Sequence, residues 1–355
     1  MMDSVPRRQR KRGTFRGLVA VLAALTPGAC AVLRAPEERH APVAIIFDTD
    51  MDTDVDDVGA LAMLYALADR GEATLLATMV SSYHPWSAPA VSALNTYFGR
   101  PDLPIGAARG RGGETDYGSR YARRIAESFP HDIASNDDAP NAVGLYREIL
   151  ASRPDSSVVI VTVGYLTNLS GLLTSGPDAH SPLSGRELVR RKVKCYVAMG
   201  GRYPVDLEPG VWGNFRPSPE AAVHVSADWP GVITFTGGGD FADSIPTGEQ
   251  LGRELPPDSP VRRAYDLYFR GQARDRHSAD QIAVLVAVRG TGSPWQLVTH
   301  GYNQIHPDGR LQWRSERDER RHQLVSALAA GIQAEDVAEM IEGLMMHTPA
   351  KRQSP

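Results

Sequence analysis

Cysteine is nearly missing from this chain of 355 residues, which carries only Cys30 and Cys195. A disulfide framework is therefore excluded as the basis of its fold. Cys195 lies in the apolar run "KVKCYVAMGG", which marks a buried, inert thiol rather than a nucleophile. Long hydrophobic runs are missing too, since the apolar stretch "GLVAVLAALT" is too short to span a bilayer. An excess of positive charge is confined to the start: the first thirty residues carry a net +5 against −4 for the whole chain, which leaves −9 for the rest. That balance argues against nucleic acid or an anionic membrane surface as partner. There is no internal repeat, and no Ser/Pro-rich linker divides residues 40–347.

What is there suffices for a sizeable core. A hydrophobic content of 42% over this length allows one large α/β domain or two small ones, and the missing linker favours one. Residues 1–35 read as an export signal: Arg7, Arg8, Arg10, Lys11, Arg12 and Arg16, then the apolar stretch, then small residues around Cys30. The expected product is periplasmic or secreted, with no integral membrane span in the mature chain. Cys30 stands where a lipid anchor could attach, although Pro27 occupies the place where such signals usually carry Leu. The competing reading is an untidy cytosolic N-terminus. The domain is expected over 40–347, with 348–355 a flexible tail.

From Val43 onward short β-rich runs alternate with helical patterns, the rhythm of a sheet with crossover helices. Strands are predicted at 43–48, 74–80, 157–163, 193–199 and 231–236. Helices are predicted at 56–70, 87–99, 118–128, 139–152, 166–174, 218–227, 260–270, 279–288 and 334–347. Several strands end in small or polar clusters ("SSYH", "TVGYLTN", "AMGGR", "FTGGGD"), and in open α/β sheets such carboxyl ends form the ligand crevice. The segment 101–141 has weak periodicity and is expected to include a mobile flap near that crevice. "YNQIHPDGRLQW" reads as a late β-hairpin turning at Pro307, Asp308 and Gly309.

The chemistry concentrates in "IIFDTDMDTDVDDVGAL", residues 45–61, which packs six aspartates into ten positions behind an apolar strand. Three readings compete. A solvated loop tolerates the charges only expensively, because they abut a buried strand and lead straight into a helix whose N-terminus favours Asp56 and Asp57 by only about 1 kcal/mol. A haloacid-dehalogenase-type phosphatase places two aspartates one residue apart after a strand, as Asp48 and Asp50 are, with Asp240 and Asp243 as its later acids and Lys192 or Lys194 as its cation. A hard-cation site explains the remaining acids as well. An EF-hand fails, because Thr53 and Gly59 stand where that loop needs Gly and Glu.

"DTDMDTDVDDVGAL" resembles the N-terminal signature of the nucleoside hydrolases of the inosine-uridine preferring type. "VTVGYLTNLSGLL" at 161–173, "VAMGG" at 197–201, "GNFRPSPEAA" at 213–222 and "ADQIAVLVAV" at 279–288 are similar to further segments of that family, in the same order. The resemblance covers about residues 43–347. It implies a single Rossmann-like α/β domain with a mostly parallel central sheet flanked by helices. It also implies a Ca²⁺-dependent N-ribosyl hydrolase that breaks down nucleosides or related ribosides by direct attack of a Ca²⁺-bound water, without a covalent intermediate. Members often form homo-oligomers.

Carried over position by position, the resemblance implies Asp50, Asp57, the Thr162 carbonyl and Asp280 as metal ligands, with Asp50 also the general base. Asp56 and Asn214 are implied to hold ribose hydroxyls; Asp52 and Asp54 fall in a loop two residues longer than in the family's shorter variant, which assigns neither, and Asp54 is read as supporting the ligands. For Asp280 the plain alternative is a helix N-cap within "SADQ".

Two departures stand out. Ala279 occupies the position where the best-studied members carry a His that protonates the leaving base, and such protonation is commonly worth about 10²–10⁴-fold. His277, Tyr83 and His84 are candidate replacements. Trp212 stands where a Glu is expected on the sugar, offering an aromatic face for a base or sugar, or for the core. These departures keep a second reading open: a Ca²⁺- and ribose-binding protein of the same fold with weakened catalysis.

Overall fold

Eight strands form one sheet in the computed structural model, in the order β10-β13-β7-β5-β4-β1-β2-β3. The structure describes residues 41–51, 54–109, 121–207, 213–316 and 320–349. The expected export signal with Cys30, the tail beyond 349, and Trp212 lie outside the described residues. Contacts divide the chain into two units, Met1–Arg39 and His40–Pro355, and the described residues all belong to the second.

In chain order the strands are β1 (Val43–Thr49), β2 (Ala73–Val80), β3 (Ile105–Ala107), β4 (Val158–Thr162), β5 (Val193–Arg202), β6 (Val205–Asp206), β7 (Ile233–Gly238), β8 (Pro246–Thr247), β9 (Arg276–His277), β10 (Trp295–Val298), β11 (Tyr302–Ile305), β12 (Leu311–Arg314) and β13 (His322–Leu328). The helices are α1 (Asp56–Asp69), α2 (Ser87–Tyr97), α3 (Tyr121–Ser128), α4 (Ala142–Ser152), α5 (Thr167–Thr174), α6 (Gly185–Lys192), α7 (Pro219–Asp228), α8 (Asp240–Asp243), α9 (Leu251–Glu254), α10 (Pro260–Tyr268), α11 (Ala279–Arg289) and α12 (Ala334–Met345). All neighbours in the large sheet run parallel except β10, which pairs antiparallel with β13 at the edge. The expected fold class is the observed one.

Burial explains the sequence of the central elements. Parallel strands covered by helices on both faces read as continuous apolar runs, and β1 and β4 do so. Helices α1 and α11 pack together, and each is buried from its first turn through nearly its whole length. They carry no clear polar stripe, as core helices do not need one. The late hairpin forms as expected, β11 against β12, and β6 extends it to three strands. Within 101–141, α3 falls inside the predicted helix 118–128, β3 and a short 3₁₀ turn at Asn136–Asp138 add to it, and 110–120, part of the expected flap segment, lie outside the described residues. Helix α6 falls outside the predicted helices, although Ser184 and Glu187 form a capping box at its start.

Parallel register sets the site. Asp48 pairs with Met79 and Thr162, and Thr162 pairs with Ala198, so the carboxyl ends of β1, β2, β4 and β5 align at one edge.

Candidate functional site

The acidic loop leaves β1 at that edge and enters α1 within a few residues. Met51, fully buried, takes a left-handed conformation with φ 25°, a costly choice for a residue with a side chain. It is over-determined by its surroundings. Its amide lies 3.2 Å from Thr49 Oγ1 and 3.3 Å from Asp57 Oδ1, and its carbonyl accepts from Ser87 Oγ at 2.6 Å. The Thr49 hydroxyl also donates to Asp57 Oδ1. Gly164 admits β4's exit against this turn, because a Cβ there would lie 2.4 Å from the Asp50 amide and 2.5 Å from Ser81 Oγ.

Three buried carboxylates meet here. Asp56 and Asp57 from the first turn of α1, and Asp280 from the first turn of α11, each offer an oxygen within 4.8 Å of the others. Two oxygens each about 2.4 Å from one ion can lie no further apart than about that span. Their exposures are 1%, 1% and 2%. Burial, then the charges of Asp50 and Asp56, push the Asp57 carboxyl well above the usual range. Burial, then Asp56, Asp57 and Asp50, do the same to Asp280. A divalent cation fits this set, since it would remove the repulsion that raises both groups. An all-oxygen donor set selects a hard one.

Asp280 is not a helix cap. The N-cap position belongs to Ser278, whose hydroxyl meets Thr247 Oγ1 at 2.8 Å, donates to the Ile245 carbonyl at 2.6 Å and accepts from no amide of the helix.

The set differs in one respect from the implied one. Asp56, expected on the sugar, belongs to it, whereas Asp50 lines the same cavity without coming within that span of all three. Thr162 is wholly buried beside Asp48, its hydroxyl 3.0 Å from Tyr196 Oη. The Asn214 amide nitrogen is engaged by the carbonyls of Val163 at 2.5 Å and Met199 at 3.3 Å, which ties its loop to the ends of β4 and β5.

Asp48 lies behind the site. It accepts from Tyr146 Oη at 2.9 Å and from Asn168 Nδ2 at 3.1 Å, and burial raises its carboxyl to about 7 against those bonds. A group held this way is no exposed nucleophile, and Lys192 pairs with Asp155 away from the cavity. The phosphatase reading is thereby overturned.

A cavity of about 910 Å³ opens over the triad. Asp50, Asp54, Asp56, Asp57, Asn214 and Asp280 line it, as do Arg276, His277 and Tyr268. Its volume is within the range of small-molecule sites. Tyr83 and His84 do not line it; of the candidate replacement acids, His277 does.

Sequence reasoning missed the counter-charges. Arg276 on β9 holds Asp54 through both carboxylate oxygens, with Nε 3.0 Å from each. His277 places Nε2 3.5 Å from Asp54 and Nδ1 3.3 Å from Asp56. Burial works against the His277 charge, yet Asp56 and Asp54 outweigh it and raise the ring to about 10. Burial likewise opposes the Asp54 charge, but the bonds from His277 and Arg276 hold its carboxyl below the usual range. Tyr121 Oη donates to the Asp54 carbonyl at 2.7 Å, bringing α3 onto the loop.

No protein-family model and no curated protein matches this sequence. Solved structures do match its fold. An inosine-uridine preferring nucleoside hydrolase from Bacillus anthracis aligns over 86% of this chain and 99% of its own, with TM-score 0.64 and 17% identity. A purine-preferring ribonucleoside hydrolase from Gardnerella vaginalis aligns over 85% of this chain and 99% of its own, with TM-score 0.61 and 18% identity. The type III effector protein XopQ, solved in complex with adenosine diphosphate ribose, aligns over 86% and 94%, with TM-score 0.61 and 17% identity. The chain has the nucleoside hydrolase fold.

Proposed function

We propose that this protein hydrolyses the N-glycosidic bond of nucleosides or related ribosides with the help of a divalent cation, Ca²⁺ by the chemistry of its donors. The observation that carries the reading is the buried triad of Asp56, Asp57 and Asp280 beneath a ligand-sized cavity. Support comes from the fold shared with named nucleoside hydrolases.

In this reading Asp57, Asp280, Asp56 and the Thr162 carbonyl hold the cation, with Asp50 beside them. When bound, the cation supplies the charge that acidifies a water and orients sugar hydroxyls. Asp50 takes the proton of the attacking water. The same carboxylates face the sugar as its bond to nitrogen breaks and positive charge grows on the ring, which they stabilise. Asn214, whose amide nitrogen is tied to the ends of β4 and β5, lines the same cavity and offers its amide oxygen to a ribose hydroxyl. Attack by water from one side inverts the anomeric carbon. The reading extends to an exported protein, on the strength of the sequence of residues 1–35 alone.

Release of free ribose from a panel of nucleosides tests this. We expect a chelator and Asp280→Asn each to abolish both cation binding and release. We expect Asp50→Ala to lower kcat by about 10²–10⁴-fold. Release that survives both chelator and Asp280→Asn would sink the proposal.

A second reading, a riboside-binding protein without turnover, draws support from the buried Ala279, which can donate no proton beside Asp280, and from the ligand named with XopQ. Calorimetric binding of a riboside with no ribose released would favour it.

A further inference from the structure

Ala279 is wholly buried, and both His277 nitrogens face carboxylates. Neither offers a directed donor to a leaving group, and the cavity wall has to supply that donor elsewhere. On the riboside reading, upon which this inference rests, a sugar held at Asp56, Asp57 and Asp280 leaves its anomeric substituent to the remaining wall. There Tyr268 and Arg276 combine an aromatic face with a planar cation, the guanidinium carbon 5.8 Å from the ring centroid.

Arg276 is oriented along one edge only. Nε and Nη2 both face Asp54, and among the described residues nothing bonds Nη1. Its side chain is 35% exposed. Of the other cavity arginines, Arg216 is paired with Asp206, and Arg202 is exposed on the rim. The brace leaves a fixed guanidinium with an open donor edge, which matches the geometry that planar acceptors need.

We propose that Arg276 receives the leaving group, Nη1 donating to an acceptor oxygen on the departing base. As the bond from the anomeric carbon to nitrogen breaks, its electron pair passes into the base and onto that oxygen, where the guanidinium stabilises it. The water oxygen bonds to the anomeric carbon and its proton goes to Asp50. The base anion then takes a proton from solvent, and Asp50 returns its own. Arg276 thus stands in for a proton donor by charge, and Asp54 is the residue that positions it.

The test compares kcat/KM for inosine and for 4-nitrophenyl riboside, whose leaving group departs as a stable anion, in wild type, Arg276→Ala, Arg276→Lys and Asp54→Asn. Arg276→Ala is expected to lose about 100-fold on inosine and a roughly ten times smaller factor on the nitrophenyl substrate. Arg276→Lys should recover part of the inosine loss. Asp54→Asn, which frees the guanidinium without removing it, should show the same inosine-weighted loss as Arg276→Ala, only smaller. Activity on the nitrophenyl riboside also reports that the variants fold. Equal losses for Arg276→Ala on both substrates overturn the proposal and leave the riboside reading intact. A wild type that hydrolyses neither substrate overturns both.

Discussion

Burial raises three carboxylates at and behind the site, while bonds from two cations depress a fourth. Asp48, Asp57 and Asp280 have raised values in the folded chain. Their protonated forms favour folding below the ordinary aspartate value near 3.8, and that benefit is lost as pH climbs through the raised values, about 7 for Asp48. Asp54, depressed by its cations, contributes above 3.8 and loses its contribution only as pH falls. His277, raised to about 10, contributes below its ordinary 6.5 and keeps part of that contribution until pH nears 10. Between pH 5 and 8 the raised acids, joined by His277 above pH 6.5, therefore give the slope one sign. In chelator, Tm measured by calorimetry should fall across this interval, and millimolar Ca²⁺ should flatten the decline. A Tm that rises from pH 5 to 8 in chelator contradicts the assignment. Legibility at this scale was uneven. Asp50, Asp56 and Asp57 stand out because a dense acid run after an apolar strand demands compensation, whereas Asp280 is named only through the family resemblance of "ADQIAVLVAV". Arg276 is not legible, because a partner 222 positions away leaves no periodic mark on the sequence, and His277 reads as a candidate acid rather than as a counter-charge.

Among the elements, β9 carries both counter-charges on only two residues, and it is held by neighbours rather than by its own length. It pairs with β8, and the turn after β8 is bound to α12 through Glu342. That carboxylate accepts from the Gly248 amide at 2.8 Å and from the Gln250 side chain at 2.5 Å, and is itself nearly buried. Glu342→Ala leaves those donors without their acceptor. It should cost about 1–3 kcal/mol and weaken turnover at the distant cavity, with Glu342→Gln milder in both. Chemical denaturation and kcat/KM measured on the same preparations check this; stability lost with turnover intact would detach β8 and β9 from the site. Most long elements were predicted to within a few residues because apolar runs with clear ends identify buried strands and core helices, but the seven-residue β13, only partly buried along its length, was not. Short ones escaped: β8 and β9 have two residues each, and α6 buries few apolar side chains. The Ser184–Glu187 cap was nevertheless visible in "SGRE".

For the molecule as a whole, a ligand that binds only the folded chain stabilises it by mass action. A cation at 100 times its Kd should add about 2.7 kcal/mol. The measured rise in Tm with Ca²⁺ should disappear in Asp280→Asn, whose triad is broken, and a rise that persists there would place the ion elsewhere. The parallel sheet and the edge at which the cavity opens were both foreseeable, since alternating strands and helices admit few topologies.

Because Asp54 and Arg276 are 222 positions apart, the centre has a direction in time. A growing polypeptide displays its run of aspartates long before the arginine, histidine and final aspartate that complete the centre have been made. Any product interrupted ahead of residue 276 carries uncompensated negative charge against a hydrophobic strand, a mark by which quality control could tell it from a finished molecule.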